Sequence, residues 1–356
     1  MRLAQTIALL LVTSLATKTH AGETTSTSFR AMGTRISVQL IGGAKPSGKH
    51  ALAEVRNLFE HRHRAWYPWR PDARLARINR RFARGRTAAA SAALIRLLRR
   101  ARSLEQRSGG RFNPAIGGLI RAWGFDHPPP YDTPPPSPTQ RLFWLAMRPS
   151  LTDLRLGDDR IRSTNPAVRL DLGGIAKGAT VAAALDQLRS AGADASLVNA
   201  GGDVAGFGTG RDEPWRIGIR DPAGGVLASL ELGARREAVF SSGDYERYRT
   251  SEDGERRGHV LDPRTGEPAR GAIQATVVSD DATKADAAAT ALLVAGAHDW
   301  RRTAEAMGLT AAMIIDRSGT IRMSRDFAER VSLRNDTQRE VIVRPLAGQS
   351  SDTDPD

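Results

Sequence analysis

An aspartate and a threonine stand four residues apart in the alanine-rich segment Lys284-Ala285-Asp286-Ala287-Ala288-Ala289-Thr290. The composition predicts the start of a helix, and a spacing of four places the two side chains on one face of it. A carboxylate and a hydroxyl are oxygen donors that Mg²⁺ accepts, together with water, a backbone carbonyl and a substrate phosphate. A helix-capping aspartate followed by a threonine packed within the helix would explain the pair as well.

A second segment with chemical potential is the glycine turn Asp171-Leu172-Gly173-Gly174-Ile175-Ala176-Lys177-Gly178. The pattern predicts a strand over 168–172, a tight turn and then a helix that stops at Gly192. The free N–H groups and positive dipole at a helix start suit an anion such as phosphate, and Asp171 and Lys177 add a carboxylate and a cation. No Ser or Thr follows a Gly-Lys pair, which excludes a P-loop. Close packing of a helix on a strand would explain the glycines equally well.

The elements that must position these residues alternate irregularly. Apolar alternation predicts strands near 36–40, 196–199, 215–220, 226–232, 273–279, 311–315 and 320–323. Helical periodicity predicts helices over 52–64, 91–107, 284–295 and 299–307. This order favours an α+β or mixed α/β fold over a regular doubly wound sheet.

Three further patterns give little evidence of a chemical role. Gly206-Phe207-Gly208 fails as a dinucleotide fingerprint, because Arg211 stands where a third glycine is required and strands follow instead of a helix. His61-Arg62-His63-Arg64 has metal-site spacing, but its arginines would repel a cation, so a solvated helix end is predicted. Residues 127–138 contain seven prolines and predict an exposed insert of polyproline II conformation.

The bulk properties restrict the class of protein. The first residues, 1–21, have the pattern of a secretory signal peptide, and no other stretch is apolar enough to cross a bilayer. The absence of cysteine excludes disulfides, thiol nucleophiles and lipid attachment at an N-terminal cysteine. The net charge of +13 favours anionic ligands or partners, but the arginines are not interleaved with aromatic residues, which argues against nucleic acid. Residues 346–356 form a polar tail, and its acidic end, Ser350 to Asp356, is expected to be disordered.

Seven motifs in order resemble the ApbE family of FAD:protein FMN transferases, over about residues 29–325. They are Ala31-Met32-Gly33-Thr34, Phe112-Asn113-Pro114-Ala115-Ile116-Gly117, Asp171 to Gly178, Asn199-Ala200-Gly201-Gly202-Asp203, Ser242-Gly243-Asp244-Tyr245, His259 to Gly266, and Ala285 to Thr290. The resemblance implies a single ApbE-like globular domain over 29–345, with mixed sheets flanked by helices. It also implies an enzyme that cleaves FAD with Mg²⁺, joins FMN through a phosphoester to a Thr or Ser of a target flavoprotein, and releases AMP.

The resemblance assigns roles by position. Metal ligands would be the Gly174 carbonyl, Asp286 and Thr290. FAD would be bound by Met32, Tyr67 in the aromatic loop 66–69, the Asn113-Pro114-Ala115 turn, Asp171 and Lys177, with Thr283 close to it. His259 would lie beside the pyrophosphate, and because an imidazole titrates near neutral pH it is the candidate base for the acceptor hydroxyl. A histidine that only orients the ligand or stabilises the turn would explain His259 equally well.

Two departures from the family pattern matter. Many members are lipoproteins, whereas this chain has no cysteine to acylate, so we expect a protein free in the periplasm. Asn113 stands where an aspartate is also common, so no charge-dependent role is assigned to it.

The same site could serve two other functions. An FAD pyrophosphatase would use water in place of the acceptor hydroxyl and give FMN and AMP. A flavin-storage protein would bind FAD without turnover, but storage needs neither a metal pair nor a base. The expected partner is a periplasm-facing respiratory flavin subunit carrying a Ser/Thr-Gly-Ala-Ser/Thr-like motif.

Overall fold

A computed structural model describes residues 24–43, 47–131, 134–210, 213–251 and 254–346 of the chain. The predicted signal peptide, 1–21, lies outside these ranges, as does the predicted tail beyond residue 346.

The helices are α1 (Ser47–Trp66), α2 (Arg74–Phe82), α3 (Ala92–Arg107), α4 (Gly117–Ala122), α5 (Pro138–Met147), α6 (Ala176–Ser190), α7 (Ala282–Ala306) and α8 (Arg325–Ala328), with a 3₁₀ turn at Leu151–Asp153. The strands are β1 (Thr24–Ala31), β2 (Thr34–Ile41), β3 (Ala88–Ala89), β4 (Leu154–Leu156), β5 (Arg160–Ser163), β6 (Ala195–Ala200), β7 (Asp203–Phe207), β8 (Arg216–Arg220), β9 (Val226–Glu231), β10 (Glu237–Gly243), β11 (Tyr248–Thr250), β12 (Arg256–Gly258), β13 (Leu261–Asp262), β14 (Glu267–Pro268), β15 (Ala272–Ser279), β16 (Ala311–Asp316), β17 (Ile321–Ser324), β18 (Val331–Leu333) and β19 (Val341–Arg344).

One nine-stranded sheet organises the chain, in the order β1-β2-β6-β7-β10-β15-β16-β17-β19. Neighbouring strands are antiparallel except β17 and β19, which pair in parallel. Two small sheets accompany it, β18-β9-β8 and β3-β5-β4, besides the two-stranded ribbons β11-β12 and β13-β14. The predicted α+β class is confirmed.

The central sheet is covered on both faces. Helices α1, α3, α6 and α7 pack on one face, and the sheet β18-β9-β8 with α8 packs on the other. Alternate residues of β15 therefore enter different cores: Ala275 and Val277 face the helices, while Val278 faces the small sheet. A third apolar cluster joins α4 to Phe125 and Leu261, with Trp144 of α5 packed against it.

Local signals explain how the helices start and end. Ser91 caps α3 by accepting the N–H of Leu94 at 3.3 Å. Asp281 caps α7 by accepting the N–H groups of Thr283 and Lys284 at 2.9 and 3.1 Å. Gly296, at φ 62°, breaks the helical geometry inside α7 between the two segments that the sequence predicts. No helix in the described ranges is both long and apolar enough to span a membrane.

One local expectation is wrong, and a second needs a correction at one end. Residues 168–172 form no strand, and pair only through a single bridge between Arg169 and Ile116. Their backbone groups bind a loop and a side chain instead: the N–H of Asp171 donates to the carbonyl of Pro114 at 2.8 Å. The proline-rich stretch is not wholly outside the helices, because Pro138 is the first residue of α5, a position that proline suits. Six of its seven prolines are exposed, and Pro136 is buried.

Candidate active site

The glycine turn leads into α6, as the sequence predicts, but N–H groups in the first turn of this helix already have an acceptor within the protein. The N–H of Gly178 donates to Oδ2 of Asp286 at 2.8 Å, and the backbone of Lys177 binds the same carboxylate. The anion at this helix start is therefore a side chain of α7. The alternative in which Asp286 caps its own helix is wrong, since Asp281 does so.

Gly178 makes this contact between α6 and α7 possible. A Cβ at this position would lie 2.2 Å from the carbonyl oxygen of Ala282 and 2.8 Å from Cβ of Asp286. Any side chain would push the two helices apart. Gly178 therefore lets α6 and α7 pack closely, and this close approach brings Asp286 to the glycine turn.

Lys177 forms an ion pair with Asp203, the first residue of β7. The other oxygen of Asp203 accepts the N–H of Ser241 from β10 at 3.0 Å. Burial alone would lower the pKa of Lys177, but the charges of Asp203 and Asp286 hold that pKa above its ordinary value. Lys177 is thus a fixed cation beside the Asp286 carboxylate.

The predicted metal ligands converge from two elements. Thr290 follows Asp286 by one turn of α7, and its hydroxyl lies 3.4 Å from the Oγ of Ser242 on β10. A Cβ on Gly174 would lie 3.0 Å from Oγ1 of Thr290, which puts the glycine turn directly against the threonine. Asp286, Thr290 and Gly174 therefore belong to one cluster.

The donor chemistry of this cluster fits Mg²⁺. A carboxylate, a hydroxyl and a backbone carbonyl are hard oxygen ligands, and Mg²⁺ usually keeps several waters beside such protein groups. Burial holds the pKa of Asp286 above its ordinary value, with help from the charge of Asp203 and against the charge of Lys177. Within the described ranges no three His, Cys, Asp or Glu side chains gather into a metal cluster, so the predicted site depends on this mixed donor set.

His259 follows β12 and is held by a single carbonyl. The oxygen of Arg247 accepts from the backbone N–H of His259 at 2.9 Å and lies 3.1 Å from its Nδ1. Burial, followed by the charge of Arg247, lowers the pKa of His259 to about 4, and Lys177 is near enough to contribute. The ring is therefore neutral at pH 7, with its proton on Nδ1 facing the carbonyl and the Nε2 lone pair available.

Two aromatic side chains, Tyr67 and Trp69, lie beside Asp171 and form what we call the aromatic wall. Burial raises the pKa of Asp171, which the hydrogen bond from Gly173 and the charges of Arg247 and Arg169 oppose. The Tyr67 phenol is close enough to Arg247 and Asp171 that both affect its pKa, which burial raises. The guanidinium of Arg169 lies over the ring of Trp69, 5.4 Å from its centroid.

Met32 occupies the turn of the β1–β2 hairpin, at φ 52°. Its N–H donates to Nδ1 of His63 on α1 at 2.8 Å, and the rings of His63 and Tyr67 are 5.8 Å apart. Burial, with help from Arg70 and Arg64, lowers the pKa of His63, which keeps Nδ1 available as an acceptor. His63 therefore connects Met32 to the aromatic loop and is not a simple solvated helix end.

The Asn113-Pro114-Ala115 turn supports the site through its backbone. The Asn113 side chain accepts the N–H of Ala115 at 2.8 Å and donates to the carbonyl of Pro149 at 2.9 Å. Both polar groups of the side chain are thus engaged within the protein, and the turn positions Asp171 through Pro114.

Thr283 is placed less directly than the other predicted residues. It lies one turn before Asp286 on α7, and its backbone N–H donates to the Asp281 cap. Among the described residues, it forms no hydrogen bond with the turn or with His259.

Asp203, Arg247 and Ser242 are members of the cluster that sequence reasoning did not select. Asp203 and Ser242 stand in two motifs quoted above, and a carboxylate directly after Gly201-Gly202 was a usable signal. Arg247 had no such signal, because both its carbonyl and its charge act on residues that are distant in sequence.

Comparison with known sequences gives a consistent result. The model of the ApbE family matches residues 32–314. A FAD:protein FMN transferase of Rhodobacter capsulatus is 40% identical over 300 residues, which are 83% of this chain and 56% of that protein. The chain thus spans little more than half of that relative's length. A FAD:protein FMN transferase of Treponema pallidum is 32% identical over 264 residues, 69% of this chain and 71% of that protein.

Solved structures agree with the sequences. The crystal structure of the ApbE protein of Thermotoga maritima matches with a TM-score of 0.78 at 28% identity, covering 86% of this chain and 99% of that one. The flavin transferase ApbE of Vibrio cholerae matches with a TM-score of 0.75 at 27% identity, covering 87% and 99%. The residues of the cluster lie within the matched range.

Proposed function

The chain belongs to the ApbE family, and on that premise we propose that it is a Mg²⁺-dependent FAD:protein FMN transferase that releases AMP. The observation that carries the proposal is the meeting of the glycine turn with α7, where Asp286 binds the N–H of Gly178 at 2.8 Å beside the Lys177 ammonium. This arrangement provides oxygen donors for a cation and a fixed positive charge for a pyrophosphate.

The reaction exchanges one ester of phosphorus for another. The acceptor hydroxyl oxygen attacks the flavin-side phosphorus of FAD, a new P–O bond forms, and the bond to the AMP phosphate oxygen breaks. Mg²⁺, when bound by Asp286, Thr290 and the Gly174 carbonyl, supplies charge neutralisation at the pyrophosphate. Lys177 stabilises the negative charge that develops on the phosphate oxygens.

His259 accepts the proton of the attacking hydroxyl at Nε2. Its Nδ1–H is oriented by the Arg247 carbonyl at 3.1 Å, so the lone pair of Nε2 has a defined direction. A neutral imidazole is the form that a general base requires.

The flavin and nucleotide parts of FAD are assigned to the surrounding loops. Met32, Tyr67 and the Trp69 ring offer apolar and aromatic surface for a planar heterocycle. We assign the remainder of FAD to the Asn113-Pro114-Ala115 turn, Asp171 and Thr283.

The experiment that tests the proposal is incubation of the protein with FAD, Mg²⁺ and an acceptor domain bearing a Ser/Thr-Gly-Ala-Ser/Thr motif. We expect AMP release and a mass gain of one FMN on the acceptor, both lost with a chelator. AMP without a modified acceptor would replace the proposal with FAD pyrophosphatase activity. Bound FAD without turnover would replace it with flavin storage.

The acceptor and the compartment are part of the proposal. The predicted signal peptide over 1–21 supports export to the periplasm, where the flavin subunit of a respiratory complex is the proposed target. Cell fractionation with an antibody against the chain tests the location.

A further inference from the structure

Helix α2 and the turn after it carry an unusual density of positive charge. Residues 70–86 contain seven arginines and a single acid, Asp72. All seven arginines are exposed, and the six that follow Asp72 form what we call the α2 arginine face: Arg74, Arg77, Arg80, Arg81, Arg84 and Arg86. Asp72 pairs with the seventh, Arg70, at 2.7 Å.

The charges of the α2 arginine face are not neutralised within the described ranges, where none of the six forms an ion pair with a carboxylate. Arg80 donates to the carbonyl of Pro71 at 3.0 Å and Arg81 to that of Thr87, which leaves both charges in place. The spacings of three and four residues put Arg77 beside Arg80 and Arg81 on the helix surface, where like charges repel. Such an arrangement favours an anionic partner.

The face is rigidly connected to the candidate active site. Asn79, on the buried side of α2, donates to the carbonyl of Leu170 at 3.0 Å and accepts its N–H at 2.8 Å. Leu170 directly precedes Asp171. Whatever binds to the exposed side of α2 is therefore held at a defined position relative to the glycine turn.

The positive surface also continues toward the site. Arg169 lies over the ring of Trp69, which stands shortly before α2 in the chain. Burial lowers the pKa of Arg169, and the charges of Arg121 and Arg80 lower it further, while those of Asp126 and Asp171 raise it. Because Arg121 pairs with Asp126 at 3.6 Å, the positive region that reaches from α2 toward the ring of Trp69 consists of Arg80 and Arg169.

The side chains of α2 favour a protein over a membrane as the anionic partner of the α2 arginine face. Helices that bind a lipid surface place apolar side chains in the interface beside their basic residues. The large apolar residues of α2, namely Leu75, Ile78 and Phe82, are at most 2% exposed. The face offers charge without an apolar group to insert.

We propose that the α2 arginine face docks an acidic surface of the protein that receives the flavin, which rests on the proposed transferase function. Complementary charge would speed the encounter and orient the acceptor so that its hydroxyl approaches the site beside Arg169.

Charge reversal tests the proposal. The variant R74E/R77E/R84E is compared with R216E/R235E/R344E, which reverses three exposed arginines elsewhere and changes the net charge equally. The probe is an acidic acceptor domain carrying the Ser/Thr-Gly-Ala-Ser/Thr motif. Its Kd is measured directly at low and high ionic strength, apart from FMN transfer, and circular dichroism checks folding; R77A/R84A serves if the triple variant misfolds.

We expect the Kd for the acceptor domain to rise about tenfold or more in the α2 variant at low ionic strength, and less than about twofold in the control variant. High salt should remove the difference. The Kd for FAD should be unchanged in both variants.

Three outcomes would overturn the proposal. Equal weakening in both triple variants would indicate a general charge effect. A higher Kd for FAD with an unchanged Kd for the acceptor would assign the face to the dinucleotide. Loss of binding to phosphatidylglycerol vesicles, with acceptor binding intact, would assign it to a membrane.

The two proposals fail separately. FMN transfer by the wild type, with identical acceptor binding in both triple variants, refutes the docking surface and leaves the transferase. Acceptor binding that depends on α2, without FMN transfer, refutes the transferase and leaves the docking surface.

Discussion

The carbonyl oxygen of Arg247 determines the tautomer of the neutral His259 ring. It accepts from both N–H groups of that residue, at 2.9 Å from the backbone nitrogen and 3.1 Å from Nδ1. The neutral ring therefore carries its proton on Nδ1 and presents the lone pair of Nε2. At the residue scale, a backbone atom of another segment orients the histidine that we propose as the base.

We expect His259→Ala to lower the rate of FMN transfer by about 10²- to 10⁴-fold, the usual contribution of a general base. Steady-state kinetics with FAD and the acceptor domain measure it, and the Kd for FAD should change little. His127→Ala is the matched control, since that ring contacts the carbonyl of Pro128 near the chain surface. Full activity of His259→Ala would remove the base assignment.

The value of kcat/KM for FAD should decrease as the pH is lowered through about 4, because the pKa of His259 is lowered to about 4. Below that pH the protonated ring loses its lone pair, and above it the base form persists. A pH–rate profile over about pH 3.5 to 8 measures the midpoint. A midpoint at the ordinary histidine value of about 6.5 would contradict the buried environment of the ring.

Glu105 on α3 is buried, accepts the N–H of Leu151 at 2.9 Å, and has a pKa that burial raises from 4.5 to about 7. The folded state therefore binds this proton more tightly than the unfolded state, and the group contributes less stability as pH rises from about 4.5 to 7. Glu105→Gln keeps an acceptor but does not ionise. Between about pH 4 and pH 8, its stability relative to wild type should improve by about 3 kcal/mol.

Urea unfolding at the two pH values measures this difference, and Glu54→Gln on the exposed side of α1 is the control. If the free energies of unfolding of Glu105→Gln and the wild type differed by the same amount at both pH values, the raised pKa of Glu105 would be contradicted.

At the element scale, the contact between α6 and α7 assembles the cluster. Asp286 of α7 receives the N–H of Gly178 of α6, while Thr290 lies against Gly174 in the turn before α6. The two helices also share the core on one face of the central sheet. Their separation therefore decides both packing and the geometry of the predicted metal ligands.

Gly178→Ala should disturb this contact, because its Cβ would lie 2.2 Å from the carbonyl oxygen of Ala282. We expect a loss of about 1–3 kcal/mol in stability, typical of overpacking, and a larger Mg²⁺ requirement. Thermal unfolding and a Mg²⁺ titration of activity measure the two effects. Gly218→Ala is the control, since its Cβ would meet only Val226 at an ordinary 3.6 Å.

At the scale of the whole molecule, the cluster joins segments that are distant in sequence. Gly178 and Asp286 are 108 residues apart, and Asp203 and Ser241 are 38 apart. The nine-stranded sheet, buried on both faces, holds these segments together. A ligand that binds the cluster should therefore stabilise the folded chain as a whole.

FAD and Mg²⁺ together should raise the free energy of unfolding by about 2.7 kcal/mol at a hundredfold excess over Kd. Calorimetry with and without a chelator measures the gain. Asp286→Ala should lose the part of this stabilisation that depends on Mg²⁺. Asp186→Ala, on the exposed side of α6, should keep it. A gain that survives both Asp286→Ala and chelation would refute the metal assignment.

The sequence by itself determined the types of the elements and the order of the motifs. Periodicity and caps are local, so α3 begins after Ser91 and β15 covers 272–279 much as predicted. The seven motifs in order were enough to indicate the family, which the comparisons confirm.

The tertiary structure alone decided which groups meet. The segment 168–172 looks like a strand, yet its backbone binds a loop and Asn79 instead of a neighbouring strand. The start of α6 looks like an empty anion site, yet Asp286 occupies it. Lys177 pairs with Asp203, and His259 binds Arg247. Local patterns specify the conformation of a segment, whereas these pairings depend on how distant segments pack around one core.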